Sequence, residues 1–219
     1  MSRYAPWEVA ATLLLGLAAT LTTAWLAGAW ALLPAAAALA LLGFYRDPPR
    51  HISAGPDVVL APADGRVIAV ERDVPRGERR VLRILIFLSV LNVHVNRAPC
   101  AGDVTAVSYR RGSFRNALRP DAADANESNT VVLAPRTPLP GPIEVRQIAG
   151  MLARRIVCAV RPGDALLAGQ RFGMIKLGSQ TEILLPEDAR WCELVAVGAA
   201  VRAGLSVLAR LDGAAHGHA

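Results

Sequence analysis

From Val9 to Phe44 the chain carries no charged residue, a run of 36 positions. An upright membrane-spanning helix needs about 20 apolar residues. The run is therefore too long for one span and short for two full ones. Gly28 and Pro34 offer a break, which predicts two short helices in a hairpin over residues 1–44. Arg3 precedes the run, and Arg46 and Arg50 follow it, so the positive-inside rule puts both ends of the hairpin on the cytoplasmic side. Leu26-Ala27-Gly28-Ala29 has the small residues of a cleavable leader. The apolar run continues well past that point, which favours an anchor.

Tyr45-Arg46-Asp47-Pro48-Pro49-Arg50 is a proline-stiffened exit, and residues 45–219 then read as one β-rich domain. Strands are expected at Asp57–Leu60, Arg66–Val70, Val81–Phe87, Asp103–Ser108, Thr130–Leu133, Ile143–Ile148 and Arg155–Val160. The polar stretch Gly112–Asn129 reads as a functional loop. Cys158–Phe172 and Val195–Leu208 share a faint repeat of the V-x-x-G…A-G-x-x-hydrophobic kind. Such half-motifs build lipoyl- and biotinyl-type barrels, so the expected fold is mainly β, a compact sandwich or barrel behind a membrane helical hairpin.

Arginine and lysine outnumber aspartate and glutamate by 24 to 18, and the pI is about 10.0. The only lysine is Lys176, so a pyridoxal-phosphate enzyme would have to hold its cofactor there. Arginines scattered over strands and loops argue against nucleic acid and suit an anionic lipid surface. Cys100, Cys158 and Cys192 lie far apart, so neither a disulfide framework nor a metal site is signalled. His216 and His218 belong to a terminal tail, and His51 to the linker.

The chemistry-bearing stretch is Arg171–Pro186, RFGMIKLGSQTEILLP. Two apolar runs, Phe172–Leu177 and Thr181–Leu185, flank Gly178-Ser179-Gln180. A turn in a hairpin explains this simply. Alternatively, Ser179 attacks the carbonyl of Gly178, a residue with no Cβ to block the approach. Asp64 in Ala61-Pro-Ala-Asp-Gly65 reads as an Asp-Gly turn between two strands. His94 ends the strongest apolar strand, LSVLNVHVNRAP. Together Asp64, His94 and Ser179 compose a carboxylate–imidazole–hydroxyl set in which Asp64 orients His94 and His94 deprotonates Ser179.

The pieces APADGRV, FLSVLNVHVNRAP, NESN (Asn126–Asn129), QIAGMLARRIV and GQRFGMIKLGSQTEILLP, in this order, resemble the phosphatidylserine decarboxylase proenzyme family, in its short bacterial and archaeal type, from about Tyr45 to Arg210. The family's Asp, His and Ser positions fall on Asp64, His94 and Ser179. Two departures stand out: Gln180 where relatives carry Thr or Arg, and Arg97 where some carry a second histidine. The resemblance implies autocatalytic cleavage between Gly178 and Ser179, giving a β chain 1–178 and an α chain 179–219. Ser179 becomes a covalent pyruvoyl cofactor that forms a Schiff base with phosphatidylserine. Carbon dioxide leaves, His94 returns a proton, and phosphatidylethanolamine is released. No metal is implied. Arg97, Arg110, Arg111 and Arg115 are candidates for the lipid phosphate. The family context adds an inner-membrane location and a homodimer. A serine ether lipid as substrate, or a non-enzymatic lipoyl- or phosphocarrier-like barrel, are the competing readings.

Overall fold

The computed structural model describes residues 1–117, 122–136, 138–151, 155–176, 178–188 and 190–213. The chain divides into two units, Met1–Pro49 and Arg50–Ala219.

In the first unit, α1 (Pro6–Ala27) leads through a 3₁₀ turn (Gly28–Ala31) into α2 (Leu32–Phe44). Gly28 takes φ +57°, a conformation that ends α1 at the expected break. Pro34 sits in the first turn of α2, where its missing N–H costs nothing. The two helices fold back on each other: a Cβ on Gly16 would fall 2.6 Å from the Cβ of Ala38. The amide of Ser2 donates to the carbonyl of Tyr45 at 2.7 Å, closing the open end. At about 1.5 Å per residue α1 is about 33 Å long, and the 3₁₀ turn plus α2 is about 28 Å. Both legs match a hydrocarbon core of about 30 Å. Trp7, at one end, and Trp25 and Trp30, at the other, are all strongly exposed, as at membrane interfaces.

The second unit is mainly β. Its strands are β1 (Val58–Leu60), β2 (Gly65–Arg76), β3 (Arg79–Leu88), β4 (Val95–Arg97), β5 (Gly102–Arg110), β6 (Ser128–Pro135), β7 (Ile143–Ile148), β8 (Ile156–Cys158), β9 (Ala165–Leu166), β10 (Arg171–Ile175), β11 (Ser179–Pro186), β12 (Trp191–Glu193), β13 (Ala200–Val201) and β14 (Val207–Leu211), with a single-turn helix α3 (Ala122–Ala125) before β6. Eight strands form an antiparallel sheet in the order β13-β2-β3-β11-β7-β6-β5-β9; β1-β14-β12 and β4-β10-β8 form two small sheets. Period-two alternation sends Leu82, Ile84, Ile86, Val131, Val145, Ile183 and Leu185 inward, and all are buried in one core. Phe172 on β10 and Leu208 on β14 join that core from the small sheets.

The repeat is real and wider than the sequence suggests. Gly163 and Gly198 take φ +94° and +93°, while Gly169 and Gly204 take +70° and +73°. Their amides find matching partners: Gly163 on Val104 and Gly198 on Val67, Gly169 on Ala98 and Gly204 on Ala61, each at 2.8 Å. The halves interlock through Leu60 N–H to the Pro99 carbonyl (2.8 Å) and Arg97 N–H to the Pro62 carbonyl (2.9 Å). β9 and β13 consequently occupy the two edges of the large sheet.

Two local expectations change. The segment Gly178-Ser179-Gln180 is no hairpin turn, because β10 and β11 belong to different sheets. Asp64 does lie in a bend, yet β1 and β2 do not pair with each other. Both runs have the length of hairpin arms, and only long-range pairing separates them.

Candidate active site

The bond between Gly178 and Ser179 lies where the chain leaves a small sheet and enters the large one. β10 is held between β4 and β8. β11 is held between β3 and β7, with Ser179 opposite Leu88 and Gln180 opposite both Phe87 and Ile148. Ser179 is fully buried, and among the described residues its Oγ has no hydrogen-bond partner. A dry, unengaged hydroxyl is costly to bury, and such exceptions cluster at reactive positions. Gly178 takes φ +61°, and its carbonyl packs directly on the Cα of Gly150. A Cβ at Gly150 would fall 2.9 Å from the Gly178 carbonyl carbon and closer still to the oxygen.

Gln180 points to the opposite face of β11 and donates from Nε2 to the carbonyl of Ala117. That stretch is itself pinned by Asn126, which accepts from the Arg115 amide (2.8 Å) and donates to the carbonyls of Arg115 (2.9 Å) and Ala149 (2.8 Å). Within the described part of the polar stretch, Ala117 thus meets the start of β11.

Inside the sheet a buried amide chain joins four of the sequence motifs. Asn129 donates to Gln147 (3.0 Å), Gln147 to Asn96 (2.9 Å), and Asn96 to the hydroxyl of Thr181 (3.2 Å). The amides and the hydroxyl are satisfied, so the chain fixes β4, β6, β7 and β11 in one register. Sequence reasoning missed this group. Its only trace is polar residues standing at inward positions of otherwise apolar strands.

His94 is fully buried immediately before β4. Its carbonyl accepts the Ile175 amide at 3.2 Å, which places it beside the end of β10, three residues before Gly178. Its Nδ1 lies 2.9 Å from the Asn92 carbonyl. A carbonyl only accepts, so Nδ1 carries a proton, and Nε2 is the ring nitrogen left to accept one.

Asp64 is engaged elsewhere. Its carboxylate receives both terminal nitrogens of Arg50 (2.6 and 2.8 Å) and the Ala203 amide (2.8 Å). The Asn92 carbonyl, rather than Asp64, holds the imidazole. Asp64 reaches His94 through the bend 61–64, whose Pro62 carbonyl bonds β4 at Arg97.

The arginines proposed for lipid phosphate divide. Arg97 is buried and donates to the Gly169 carbonyl at 3.1 Å; Arg110 spends donors on the Ala123 and Asn126 carbonyls. Glu182 is buried between Arg83 (2.5 Å) and Arg146 (3.1 Å), so one carboxylate on β11 is bound to both neighbouring strands. Burial lowers the Arg146 pKa, with Glu182 opposing it. Lys176 is buried near the site rather than displayed on an exposed tip, which disfavours a lipoyl-type carrier. Among the described residues no cluster of His, Cys, Asp and Glu could hold a metal ion. The His216–His218 tail, Arg119 and Leu177 lie outside the described residues.

The family model for phosphatidylserine decarboxylase matches residues 38–209, well over half the chain. The chain belongs to the phosphatidylserine decarboxylase family. Similar proteins named phosphatidylserine decarboxylase proenzyme include one from Cupriavidus metallidurans, 43% identical over 188 residues and covering 85% of each chain. Another, from Syntrophus aciditrophicus, is 41% identical over 196 residues, 88% of this chain and 90% of its own. A third, from Magnetococcus marinus, is 42% identical over 173 residues, 78% and 77% of the two chains. The family match takes in Asp64, His94, the Asn126–Asn129 segment, Gly150, Gly178 and Ser179 alike.

Proposed function

We propose that this chain is a phosphatidylserine decarboxylase that cuts itself between Gly178 and Ser179 to create its own pyruvoyl group. The observation that carries the reading is the buried, unengaged Ser179 hydroxyl beside a left-handed Gly178, at a strand junction within the family match. The residues present fit that group: Ser179 begins a central strand and stays fixed by its neighbours on both sides once the bond is cut.

His94 takes the Ser179 hydroxyl proton at Nε2, and the oxygen attacks the Gly178 carbonyl. The peptide C–N bond breaks as the ester C–O bond forms, and the amine takes up the proton. Loss of the Ser179 Cα proton then expels the ester as the Gly178 carboxylate. The resulting dehydroalanine takes up water and releases ammonia, leaving a ketone. When present, the pyruvoyl group supplies a ketone conjugated to an amide, which captures the substrate amine and accepts the electron pair left by departing carbon dioxide. His94 then holds the proton returned to the substrate carbon. Asp64 positions His94 indirectly, by fixing the bend 61–64 against β4.

The N-terminal hairpin holds the enzyme at the inner membrane, with its ends and the β domain on the cytoplasmic side. The lengths of the two legs, the tryptophans at both ends and the flanking Arg3 and Arg46 support this. A homodimer accompanies the reading and is measured by sedimentation in detergent.

Intact-mass analysis of the wild type should give Met1–Gly178 and Ser179–Ala219, the smaller blocked to Edman degradation, with carbon dioxide released from phosphatidylserine. Ser179→Ala should remain one chain. Wild-type protein that stays full length and carries no hydrazine-reactive carbonyl overturns the reading.

A further inference from the structure

One cross-strand row at the end of the large sheet runs Ala200, Arg66, Phe87, Gln180, Ile148. Arg66 and Gln180 flank Phe87 two strand spacings apart, about 10 Å. Two surface pockets meet at Phe87 and Ser89. One, of about 190 Å³, reaches Gly178 and is walled by Ala117 and Met151. The other, of about 410 Å³, is walled by Gly65, Arg66 and Asn92.

Arg66 differs from the many arginines of this domain that pair with acids. Arg50, Arg72, Arg80, Arg83 and Arg136 each meet a carboxylate. Arg66 donates from Nη1 to the Gly198 carbonyl at 2.7 Å, and among the described residues no carboxylate reaches it. The oxygen of the Asn92 amide is taken by the Ser89 N–H (2.9 Å) and hydroxyl (2.8 Å), so its NH₂ end is the part offered to the pocket. The pocket thus combines a guanidinium and an amide donor with no acid in its wall, the chemistry that binds a phosphate oxygen.

The spacing suits a serine headgroup. Four bonds separate its amine from phosphorus, roughly 5 Å when extended. The backbone of residue 179 adjoins Gln180 in that row, so an amine held at the residue 179 Cα leaves roughly 5 Å of the sheet spacing, which the Arg66 stem covers. Val90, in the wall of the first pocket, and its neighbour Leu91 are 45% and 82% exposed, an apolar path for the glycerol and acyl portion.

We propose that Arg66, assisted by Asn92, binds the phosphodiester of the substrate, so that the headgroup lies across Phe87 with its amine toward residue 179. This rests on the decarboxylase reading, and its test is arranged to separate the two. In the full-length Ser179→Ala chain, which needs no cleavage or turnover, dihexanoyl phosphatidylethanolamine, glycerophosphoethanolamine and inorganic phosphate are titrated by calorimetry. Adding Arg66→Ala should weaken the two diesters about 10- to 100-fold, the loss of one charge-assisted hydrogen-bonded contact. Arg66→Lys should recover part of it. In processed enzyme Arg66→Ala should raise KM for dihexanoyl phosphatidylserine by a similar factor, with kcat within about threefold and self-cleavage unchanged. Arg136→Ala, paired with Asp103 elsewhere, should change neither. Diester binding within twofold of the parent overturns the proposal. So does inorganic phosphate binding as tightly as the diesters, which would mark a general anion site. Absence of cleavage in the wild type would instead sink the decarboxylase reading and leave the binding arm to decide on Arg66.

Discussion

Gly150→Ala is the sharpest probe of the cleavage geometry. The added Cβ would stand 2.9 Å from the Gly178 carbonyl carbon, where ordinary contact begins near 3.4 Å, and it would overlap the oxygen more deeply. Either the 149–151 backbone or the Gly178 carbonyl must move, by roughly 0.5 Å at the carbon and roughly 1.6 Å at the oxygen. Overpacking of this kind costs about 1–3 kcal/mol of stability. A displacement near 1 Å of a reacting atom costs on the order of 10²-fold in rate. The variant should therefore fold and cleave itself 10- to 100-fold more slowly, by the same argument. Cell-free synthesis followed by a time-resolved denaturing gel measures the rate. Thermal unfolding of Gly150→Ala in the Ser179→Ala background measures the stability separately. Cleavage within threefold of wild type would mean that the reacting carbonyl is not the one packed on Gly150, and the geometry argued here would fall.

Glu182→Ala should lower stability by about 3–5 kcal/mol, because it leaves Arg146 buried without its carboxylate; chemical denaturation of the uncleaved Ser179→Ala background reads this. The Arg72 hydrogen bond holds the Glu193 pKa below its usual 4.5, and Arg190 holds Asp188 down to about 2. A depressed carboxylate stabilises the fold above its unfolded pKa and loses that contribution as pH falls through the folded value. Denaturation midpoints should hence fall more between about pH 5 and about pH 3 for wild type than for Arg72→Ala; equal falls would refute the assignment. Burial pushes the Cys100 thiol up to about 12, while Cys192 is exposed, so iodoacetamide should label Cys192 in the native protein and Cys100 only after unfolding.

Much of the fold was legible because its strands announce themselves locally. Ile143–Ile148 is bounded as expected, and Gly28 breaks the apolar run as expected. Pairing was not legible: the runs around Gly178 look like hairpin arms, and nothing local says that β10 and β11 part company. The repeat showed only in its glycine-bearing halves. Its other halves, around Ala61–Val67 and Ala98–Val104, match through backbone bonds that many sequences satisfy. Ser179 and Gly178 stood out by their juxtaposition. The Asn129–Gln147–Asn96–Thr181 chain did not, since its members lie as far apart as positions 96 and 181, and no period links them. Asp64 was legible as an acid at a turn but not as the partner of Arg50, which belongs to a linker with no pattern of its own.

Under the proposed cleavage, β11 would open the short fragment, flanked on both sides by strands of the long one, with Glu182 tied to each. The hydroxyl is consequently aimed only after strands as far apart in sequence as β3 and β11 have found one another. On that proposal, maturation would double as an inspection of the finished product: a molecule that collapses wrongly would never acquire its electrophile and would stay chemically silent.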